Sequence, residues 1–240
     1  MARRPPAVAG RYVLLEEVGR GGHGVVHRAL DLRTRQHVAA KVLHSPDPDT
    51  LVRFVREQGH RVAHPHVLAP LGWAAEDDVA LIAMELVLGG SVRDLLARRG
   101  PLPAQDVAGL LGQLLDALAA VHARGLVHGD VKPSNLLLRA GVRPHLLLAD
   151  FGVATRSGDP ASGPAAGTPA YLPPERLAGA PPHPSQDVYA AGLLARRMLA
   201  GSSPLLTLCD SMTRPDAGRR PKAVQALDRL RELSPPGTRR

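Results

Sequence analysis

The stretch His128-Gly129-Asp130-Val131-Lys132-Pro133-Ser134-Asn135 indicates the fold and the chemistry of this chain. It carries a carboxylate, a cation and an amide on one short polar segment. Apolar runs flank it, Leu126-Val127 before and Leu136-Leu137-Leu138 after, and such runs predict buried strands. A polar cluster between two buried strands is held rigidly, as group-transfer chemistry requires. The segment is therefore the first candidate for an active site.

A second carboxylate, Asp150, follows another apolar run and precedes Phe151 and Gly152. Either motif alone is typical of a polar turn between strands. In this order and spacing, the two resemble the catalytic loop and the Asp-Phe-Gly motif of protein kinases. The resemblance implies that Asp130 takes the proton of the acceptor hydroxyl and that Lys132 steadies the γ-phosphate. It also implies that Asn135 and Asp150 hold Mg²⁺.

The glycines of Gly19-Arg20-Gly21-Gly22-His23-Gly24 have the spacing G-x-G-x-x-G, and Val26 follows. Glycine lets backbone N–H groups approach phosphate oxygens without a Cβ in the way. Dinucleotide-binding folds share this spacing, but there a helix follows the glycines. Here strand-like patterns lie on both sides, over residues 12–18 and 25–30. The pattern therefore favours a hairpin over the phosphates of ATP, as in the kinase glycine-rich loop.

A third strand pattern, over residues 37–43, contains Val38-Ala39-Ala40-Lys41, which resembles the kinase Val-Ala-Ile-Lys. In that family the lysine holds the α- and β-phosphates and pairs with a glutamate, here Glu57 on a helix predicted over about residues 49–62. A strand is expected to begin at residues 64–67, and another over 79–87 ends in the hinge-like Met84-Glu85-Leu86. The residues implied to bind the nucleotide are Gly19, Arg20, Gly21, Gly22, His23, Gly24, Val26, Ala39, Lys41, Met84, Glu85 and Leu86.

The later part of the chain reads as helical. Apolar residues at helical spacing predict a long helix over residues 102–124, and shorter helices are expected over 91–98, 185–199 and 221–233. A loop rich in Gly, Pro, Ser and Ala spans 154–166 and leads into residues 167–175, which resemble the end of a kinase activation segment. By the same resemblance Thr168 contacts Asp130 and Lys132, Asp187 braces the catalytic loop, and Arg220 pairs with Glu175.

The predicted fold is α+β, a two-lobed protein kinase-like fold. An N-terminal antiparallel sheet with one helix occupies about residues 11–87, and a mainly helical, shortened C-terminal lobe occupies about residues 91–233. Residues 1–10 are expected to be a disordered tail, and residues 234–240 a second tail. The resemblance is to the bacterial eukaryotic-type Ser/Thr protein kinases. It implies a serine/threonine-protein kinase that uses ATP and Mg²⁺ and accepts Ser/Thr hydroxyls of protein substrates.

Two departures keep other functions open. Gly129 stands where the family has arginine, and aminoglycoside phosphotransferase-like enzymes, which phosphorylate small molecules on the same fold, also have His-Gly-Asp. The segment from Gly167 to Glu175 argues against that class, because those enzymes lack it. Second, the chain between Gly201 and Arg220 is shorter than the family norm, in the region that docks protein substrates. A catalytically weak pseudokinase that acts as a binding module is the other alternative, although Lys41, Asp130 and Asp150 are all present.

Composition narrows the classes further. The net charge is +8, but only 2% of the residues are aromatic, which argues against nucleic-acid binding by base stacking. The single cysteine, Cys209, excludes an intrachain disulfide, and His64 and His66 lack a second ligand pair at zinc-site spacing. We expect no signal peptide and no membrane span, and hence a cytoplasmic protein. The oligomeric state and the identity of the substrate stay open.

Overall fold

The computed structural model describes residues 7–21, 24–44, 62–142, 144–151, 154–159 and 167–233. The chain divides into two compact units. The first contains residues 1–63 and 68–87, and the second contains residues 64–67 and 88–240. The helix predicted over residues 49–62, which carries Glu57, lies almost wholly outside the described residues.

The first unit is built on an antiparallel sheet with the strand order β1-β2-β3-β4-β6-β5. The strands are β1 (Ala7–Val8), β2 (Tyr12–Gly21), β3 (Gly24–Asp31), β4 (Gln36–His44), β5 (Pro70–Glu76) and β6 (Val79–Glu85). The four strands predicted over residues 12–18, 25–30, 37–43 and 79–87 are confirmed, with ends that differ by a few residues. The predicted antiparallel sheet therefore exists in full among the described residues.

Two expectations for this part of the chain are wrong. Residues 64–67 do not begin a strand: Pro65 and His66 form a turn, and Val67 makes an isolated bridge to Leu148. The next strand begins later, at Pro70, which lies opposite Met84. The tail expected to be disordered over residues 1–10 contains β1, which pairs with β2 through Val8 opposite Tyr12.

The two faces of this sheet differ in character. Side chains alternate between faces along a strand, so residues directly opposite each other on neighbouring strands share a face. One face is an apolar core that includes Tyr12, Ala40 and Leu81, all fully buried. Lys41 lies opposite Val26 and Ile82 on the other face. The sheet thus separates its core from the face that carries the lysine.

The second unit is mainly helical. Its helices are α1 (Val92–Arg99), α2 (Ala104–His122), α3 (Pro174–Leu177), α4 (Pro184–Met198), α5 (Leu205–Met212) and α6 (Ala223–Leu233). Ser91 caps α1 as expected, with its hydroxyl accepting from the Asp94 N–H and the Asp94 carboxylate accepting from the Ser91 N–H. The hydrogen bonds from Ser91 hold the pKa of Asp94 below its ordinary value. The predicted helices 91–98, 102–124, 185–199 and 221–233 are confirmed.

Helix α5 was not among the predicted helices. Its buried residues Leu205, Leu208, Cys209 and Met212 follow the i, i+3, i+4, i+7 spacing of an amphipathic helix. Gly192 of α4 lets the two helices approach closely, because a Cβ at that position would lie 2.7 Å from the Met212 Cβ. The shortened segment between residues 201 and 220 therefore still contributes to the core.

Helix α2 is the central helix of this unit. Its buried side includes Val107, Leu111, Leu114 and Leu118, and Gly125, with φ +71°, follows the helix end. Among the described residues it is the one helix that is long and apolar enough to cross a membrane, with 44% of the tested window buried in the protein. The core helix of a soluble protein passes the same test, so the expectation of no membrane span stays a prediction.

Four short strands of the second unit frame the polar stretch. They are β7 (Leu126–Val127), β8 (Leu136–Arg139), β9 (His145–Leu148) and β10 (Thr155–Arg156). Strand β8 pairs with β9, and β7 pairs with β10, both antiparallel. The polar residues therefore lie between β7 and β8, and Asp150 lies just past the end of β9, as the flanking apolar runs predict.

Candidate active site

The carboxylate of Asp130, between β7 and β8, accepts hydrogen bonds from three other side chains. Its Oδ2 accepts hydrogen bonds from Lys132 Nζ at 2.7 Å and from Asn135 Nδ2 at 3.0 Å. Its Oδ1 accepts from Thr168 Oγ1 at 2.8 Å. The side chain is buried, and Asn135 also donates to the backbone carbonyl of Asp130 at 2.9 Å. Four groups predicted to share a site, Asp130, Lys132, Asn135 and Thr168, are therefore brought together.

The carboxylate of Asp187, on α4, accepts hydrogen bonds from the backbone of the polar stretch. Its Oδ2 accepts from the N–H of His128 at 2.8 Å, and its Oδ1 accepts from the N–H of Gly129 at 2.8 Å. His122 Nε2, at the end of α2, lies 2.9 Å from Oδ2. The predicted bracing role of Asp187 is confirmed.

The charge of Asp187 is stabilised in spite of its burial. Burial alone would raise the pKa of Asp187, but the hydrogen bond from His122, the field of His122 and the hydrogen bond from the N–H of Gly129 together hold it below its ordinary value. The carboxylate is thus ionised at neutral pH, and it can act as a strong acceptor for two backbone N–H groups of the catalytic stretch.

His128 connects the polar stretch to the Asp-Phe-Gly motif. Its Nδ1 accepts from the N–H of Asp130 at 3.3 Å, and its Nε2 lies 3.1 Å from the carbonyl oxygen of Ala149. The two bonds together require the tautomer with the proton on Nε2. The edge of its ring also meets the Phe151 ring, with the centroids 4.8 Å apart. His128 therefore contacts both Asp130 and the segment of residues 149–151.

The two predicted metal ligands lie on adjoining backbone. The N–H of Ala149 donates to the carbonyl of Asn135 at 2.8 Å, and Asp150 follows directly with φ +66°. Aspartate adopts this left-handed region more readily than most residues. Because the amide nitrogen of Asn135 is committed to Asp130, its amide oxygen is the group suited to a cation. An amide oxygen and a carboxylate are the hard donors that Mg²⁺ prefers, so the donor set fits that ion.

The segment after residue 166 meets the catalytic stretch through backbone as well as side chain. Gly167 has φ +119°, and a Cβ there would lie 2.6 Å from the carbonyl oxygen of Gly129. The adjacent Thr168 reaches Asp130, as predicted. The close approach of residues 129 and 167 therefore requires glycine at position 167.

Glu175 anchors the end of the same segment. Arg220 NH1 and NH2 donate to its two carboxylate oxygens at 2.6 and 2.9 Å. The arginine side chain is fully buried and also donates to the carbonyls of Ser185, Arg214 and Pro215. The predicted pair between Glu175 and Arg220 is confirmed as a fork-to-fork contact.

Most of the described residues predicted to bind the nucleotide lie on the Lys41 face or at the paired ends of β2 and β3, whereas Glu85 lies opposite Val38 on the core face. Lys41 is buried on that face beside Ala39, which lies opposite Met84. Of the glycine-rich stretch, Gly21 ends β2 and lies opposite Gly24, which begins β3, so the two strands form the paired arms of the predicted hairpin. A Cβ on Gly24, at φ +123°, would lie 2.6 Å from the Val42 carbonyl oxygen. The hairpin therefore needs glycine there.

The other described residues predicted to bind the nucleotide lie on β2, β3 and β6 or directly after β6. Gly19 and Arg20 lie on β2, Val26 lies on β3 with Gly19 opposite it, Glu85 ends β6 and Leu86 follows it. Glu57, Gly22 and His23 lie outside the described residues, so the predicted pair of Lys41 with Glu57 stays a prediction.

The sequence analysis missed the roles of His122 and His128. A histidine in the last turn of an apolar helix, such as His122, is typical of a solvated helix end. Its contact with a carboxylate 65 residues later is a tertiary event. For His128, the neighbouring Asp130 gave a positional signal, but the partner at Ala149 is visible only in the folded chain.

Comparison with known proteins agrees with this geometry. The model of the protein kinase domain family matches residues 12–229. The chain is 36% identical over 217 residues to serine/threonine-protein kinase PkaA of Streptomyces coelicolor, covering 82% of this chain and 40% of PkaA. It is 39% identical over 194 residues to serine/threonine-protein kinase PknK of Mycobacterium bovis, covering 78% of this chain and 17% of PknK.

A third relative is serine/threonine-protein kinase PknL of Mycobacterium tuberculosis, 36% identical over 203 residues. That alignment covers 81% of this chain and 50% of PknL. The chain thus spans half or less of the length of these three relatives.

Proposed function

Because this chain belongs to the protein kinase domain family, we propose that it transfers the γ-phosphoryl group of ATP to Ser or Thr hydroxyls of protein substrates. The observation that carries the proposal is the set of contacts around Asp130. Lys132, Asn135 and Thr168 hold its carboxylate in one orientation through three hydrogen bonds of 3.0 Å or less. Catalysis of phosphoryl transfer depends mainly on positioning of the reacting groups and on charge stabilisation. The three hydrogen bonds fix the position of the Asp130 carboxylate.

Asp130 has a specific chemical role in this proposal. A carboxylate offers about four acceptor positions, and the three observed donors leave one for the hydroxyl of the substrate. Asp130 orients that hydroxyl toward the γ-phosphorus and accepts its proton as the new O–P bond forms. The bond between the γ-phosphorus and the β–γ bridging oxygen breaks at the same time, and ADP leaves with that oxygen. Lys132 is 24% exposed and lies beside Asp130. Its positive charge would stabilise the negative charge that develops on the γ-phosphoryl group during transfer.

Asn135 and Asp150 would hold Mg²⁺, and Lys41 and the β2–β3 hairpin would bind the phosphates of ATP. Bound there, Mg²⁺ would supply positive charge to offset the negative charge that develops on the phosphates during transfer. The protein's own contribution is to fix the two ligands through the backbone hydrogen bond between Ala149 and Asn135. His128 contacts both the carbonyl oxygen of Ala149 and the N–H of Asp130, and so helps to position the two segments.

A protein acceptor is favoured over a small molecule by the segment from Gly167 to Glu175. This segment contacts the catalytic aspartate at one end, and Arg220 anchors it at the other. It presents Pro169 and Ala170 to solvent directly beside Thr168. An exposed, anchored stretch next to the catalytic carboxylate suits an extended peptide.

The test is transfer of labelled phosphate from ATP to a library of Ser/Thr peptides, with Asp130→Asn as the variant. We expect nucleotide binding within a few-fold of wild type and turnover lower by at least about a hundredfold, because the base is lost in the transition state. Asp228→Asn is the matched control, since that carboxylate is exposed and pairs only with Arg231 among the described residues. Equal turnover in the Asp130 variant, or no transfer by wild type, would refute the proposal.

A further inference from the structure

Arg197 lies beside the segment that reaches the catalytic aspartate. It occupies the last turn of α4, is exposed, and holds its guanidinium carbon 4.8 Å from the centroid of the Tyr171 ring. Tyr171 ends the 3-10 turn Pro169–Tyr171, which begins next to Thr168. Thr168 donates to Asp130 at 2.8 Å. One short turn therefore links the arginine to the acceptor site.

The charge of Arg197 is not neutralised within the described part of the chain. The adjacent Arg196 pairs with Asp210, and Glu175, in the segment that contains Tyr171, pairs with Arg220. Across the described ranges, no carboxylate lies within ion-pair distance of Arg197. Its contact with Tyr171 leaves the charge in place, because an aromatic face attracts a cation without neutralising it.

A second arginine adds to the positive charge in this area. The N–H of Leu102 donates to the carbonyl of Met198 at 2.7 Å, and the N–H of Ala200 donates to the carbonyl of Leu102 at 2.9 Å. These bonds hold the chain just after α1, whose last residue is the exposed Arg99, against the end of α4. Arg99 and Arg197 therefore lie at the same end of α4, and both favour an anionic partner.

The position of Arg197 sets which part of a substrate it can reach. A 3-10 turn rises about 2 Å per residue, so Tyr171 is about 6 Å along the chain from Thr168. The tyrosine ring and the cation stacked on it extend this to about 10–15 Å from Asp130. An extended peptide advances about 3.3 Å per residue. Arg197 is thus within reach of a side chain about two to four residues from the phosphoacceptor.

We propose that Arg197, oriented by Tyr171, is a specificity-determining residue that pairs with an acidic side chain two to four residues from the phosphoacceptor of a protein substrate. The proposal rests on the proposed kinase function. A guanidinium stacked on a ring is pre-organised, and its N–H groups lie in the guanidinium plane, where a carboxylate can accept two of them. The orientation of the Arg197 guanidinium, together with the positive charges of Arg197 and Arg99, should favour peptides with acidic side chains.

The experiment uses three peptides with one acceptor serine, in which the residues two to four positions away on both sides are all Glu, all Ala or all Lys. For wild type we expect kcat/KM to fall in the order Glu, Ala, Lys. The step from Glu to Ala should be about two- to fivefold, the range for one exposed ion pair. Arg197→Glu should reverse the order, Arg197→Gln should abolish it, and Arg197→Lys should keep it.

Arg196→Glu is the matched control. It introduces the same charge change one residue away but removes a different ion pair, that with Asp210. The order of the three peptides should therefore stay as in wild type. Thermal unfolding of each variant checks that the fold is retained, which is expected for exposed positions.

The outcomes separate the two proposals. If Arg197→Glu lowers kcat/KM equally for all three peptides, Arg197 merely packs on Tyr171 and the specificity role is refuted. Transfer by wild type without any preference for charge also refutes the specificity role, while it leaves the kinase function standing. If wild type transfers phosphate to none of the three peptides or the wider library, the kinase function fails, and the inference fails with it.

Discussion

Replacing Asp187 by asparagine removes one charge beneath the catalytic stretch with almost no change in volume. The carboxylate accepts hydrogen bonds from the N–H groups of His128 and Gly129 and from the His122 ring. Asparagine has a single acceptor oxygen, and its NH₂ group is a donor. Whichever way the amide turns, its nitrogen faces at least one N–H donor, so one buried donor is left without an acceptor.

The expected loss of stability follows from this arrangement. A hydrogen bond to a charged group contributes about 1.5–3 kcal/mol, and an unsatisfied buried donor costs about 1–3 kcal/mol. We therefore expect Asp187→Asn to lower the free energy of unfolding by about 3–5 kcal/mol, the range for breaking a buried ion pair. For a protein of this size, about 2–4 °C is lost per kcal/mol, so the melting temperature should fall by about 6–20 °C.

The assay is thermal unfolding at pH 7 together with turnover at a temperature where the variant is folded. Turnover should fall at least about tenfold, because the backbone that holds Asp130 loses its support. Asp210→Asn is the control, since that carboxylate is 59% exposed and its pair with Arg196 should contribute no more than about 1 kcal/mol. A melting temperature within about 2 °C of wild type and unchanged turnover for Asp187→Asn would refute the bracing role.

The pH dependence gives an independent check. The pKa of Asp187 is lowered in the folded protein from its ordinary value of 3.8. Its contribution to stability is therefore present above that value and is lost as the pH falls through the lower folded pKa. Wild type should lose stability more steeply than Asp187→Asn as the pH drops below about 5. Parallel curves for the two proteins would contradict the lowered pKa.

Three further perturbations test neighbouring features. Gly167→Ala places a Cβ 2.6 Å from the carbonyl of Gly129 at φ +119°, so we expect a loss of about 1–3 kcal/mol in unfolding and reduced turnover; wild-type values for both would contradict the close contact. Arg220→Lys removes the two-pronged contact with Glu175, and chemical denaturation should show a loss of about 2–3 kcal/mol at pH 7; a loss below about 0.5 kcal/mol would count against it. In the first unit, the Arg11 guanidinium donates to the two carboxylate oxygens of Asp31 at 3.0 and 2.7 Å. These hydrogen bonds lower the pKa of Asp31 to about 2, so the pair should contribute about 2 kcal/mol above pH 5 that disappears toward pH 2. An acid titration of unfolding that is identical in Asp31→Asn would refute that contribution.

Much of the fold was predictable from the sequence because its signals are local. Alternating and continuous apolar runs predicted four strands of the first sheet, and the 3.6-residue period of residues 102–124 predicted α2. These patterns work because burial of an apolar face is decided over a few turns or strand residues. Helix α5 carried the same signal on a shorter run, and the sequence analysis passed over it.

The resemblance to protein kinases also placed several long-range pairs. Thr168 with Asp130, Asp187 with residues 128 and 129, and Glu175 with Arg220 were all expected, and the structure contains them. These pairs came from ordered motifs and not from composition or periodicity, since no local pattern tells which carboxylate meets which donor.

What the sequence determined by itself is the set of chemical groups and the elements that carry them, because apolar periodicity and motif order are written along the chain. Only the tertiary structure decided that His122 supports Asp187, that His128 spans from Asp130 to Ala149, and that Arg197 stacks on Tyr171. Each of these contacts joins residues brought together by the packing of α2, α4 and the short strands. The energy of such a contact depends on burial and on distances of about 3–5 Å, and packing sets both.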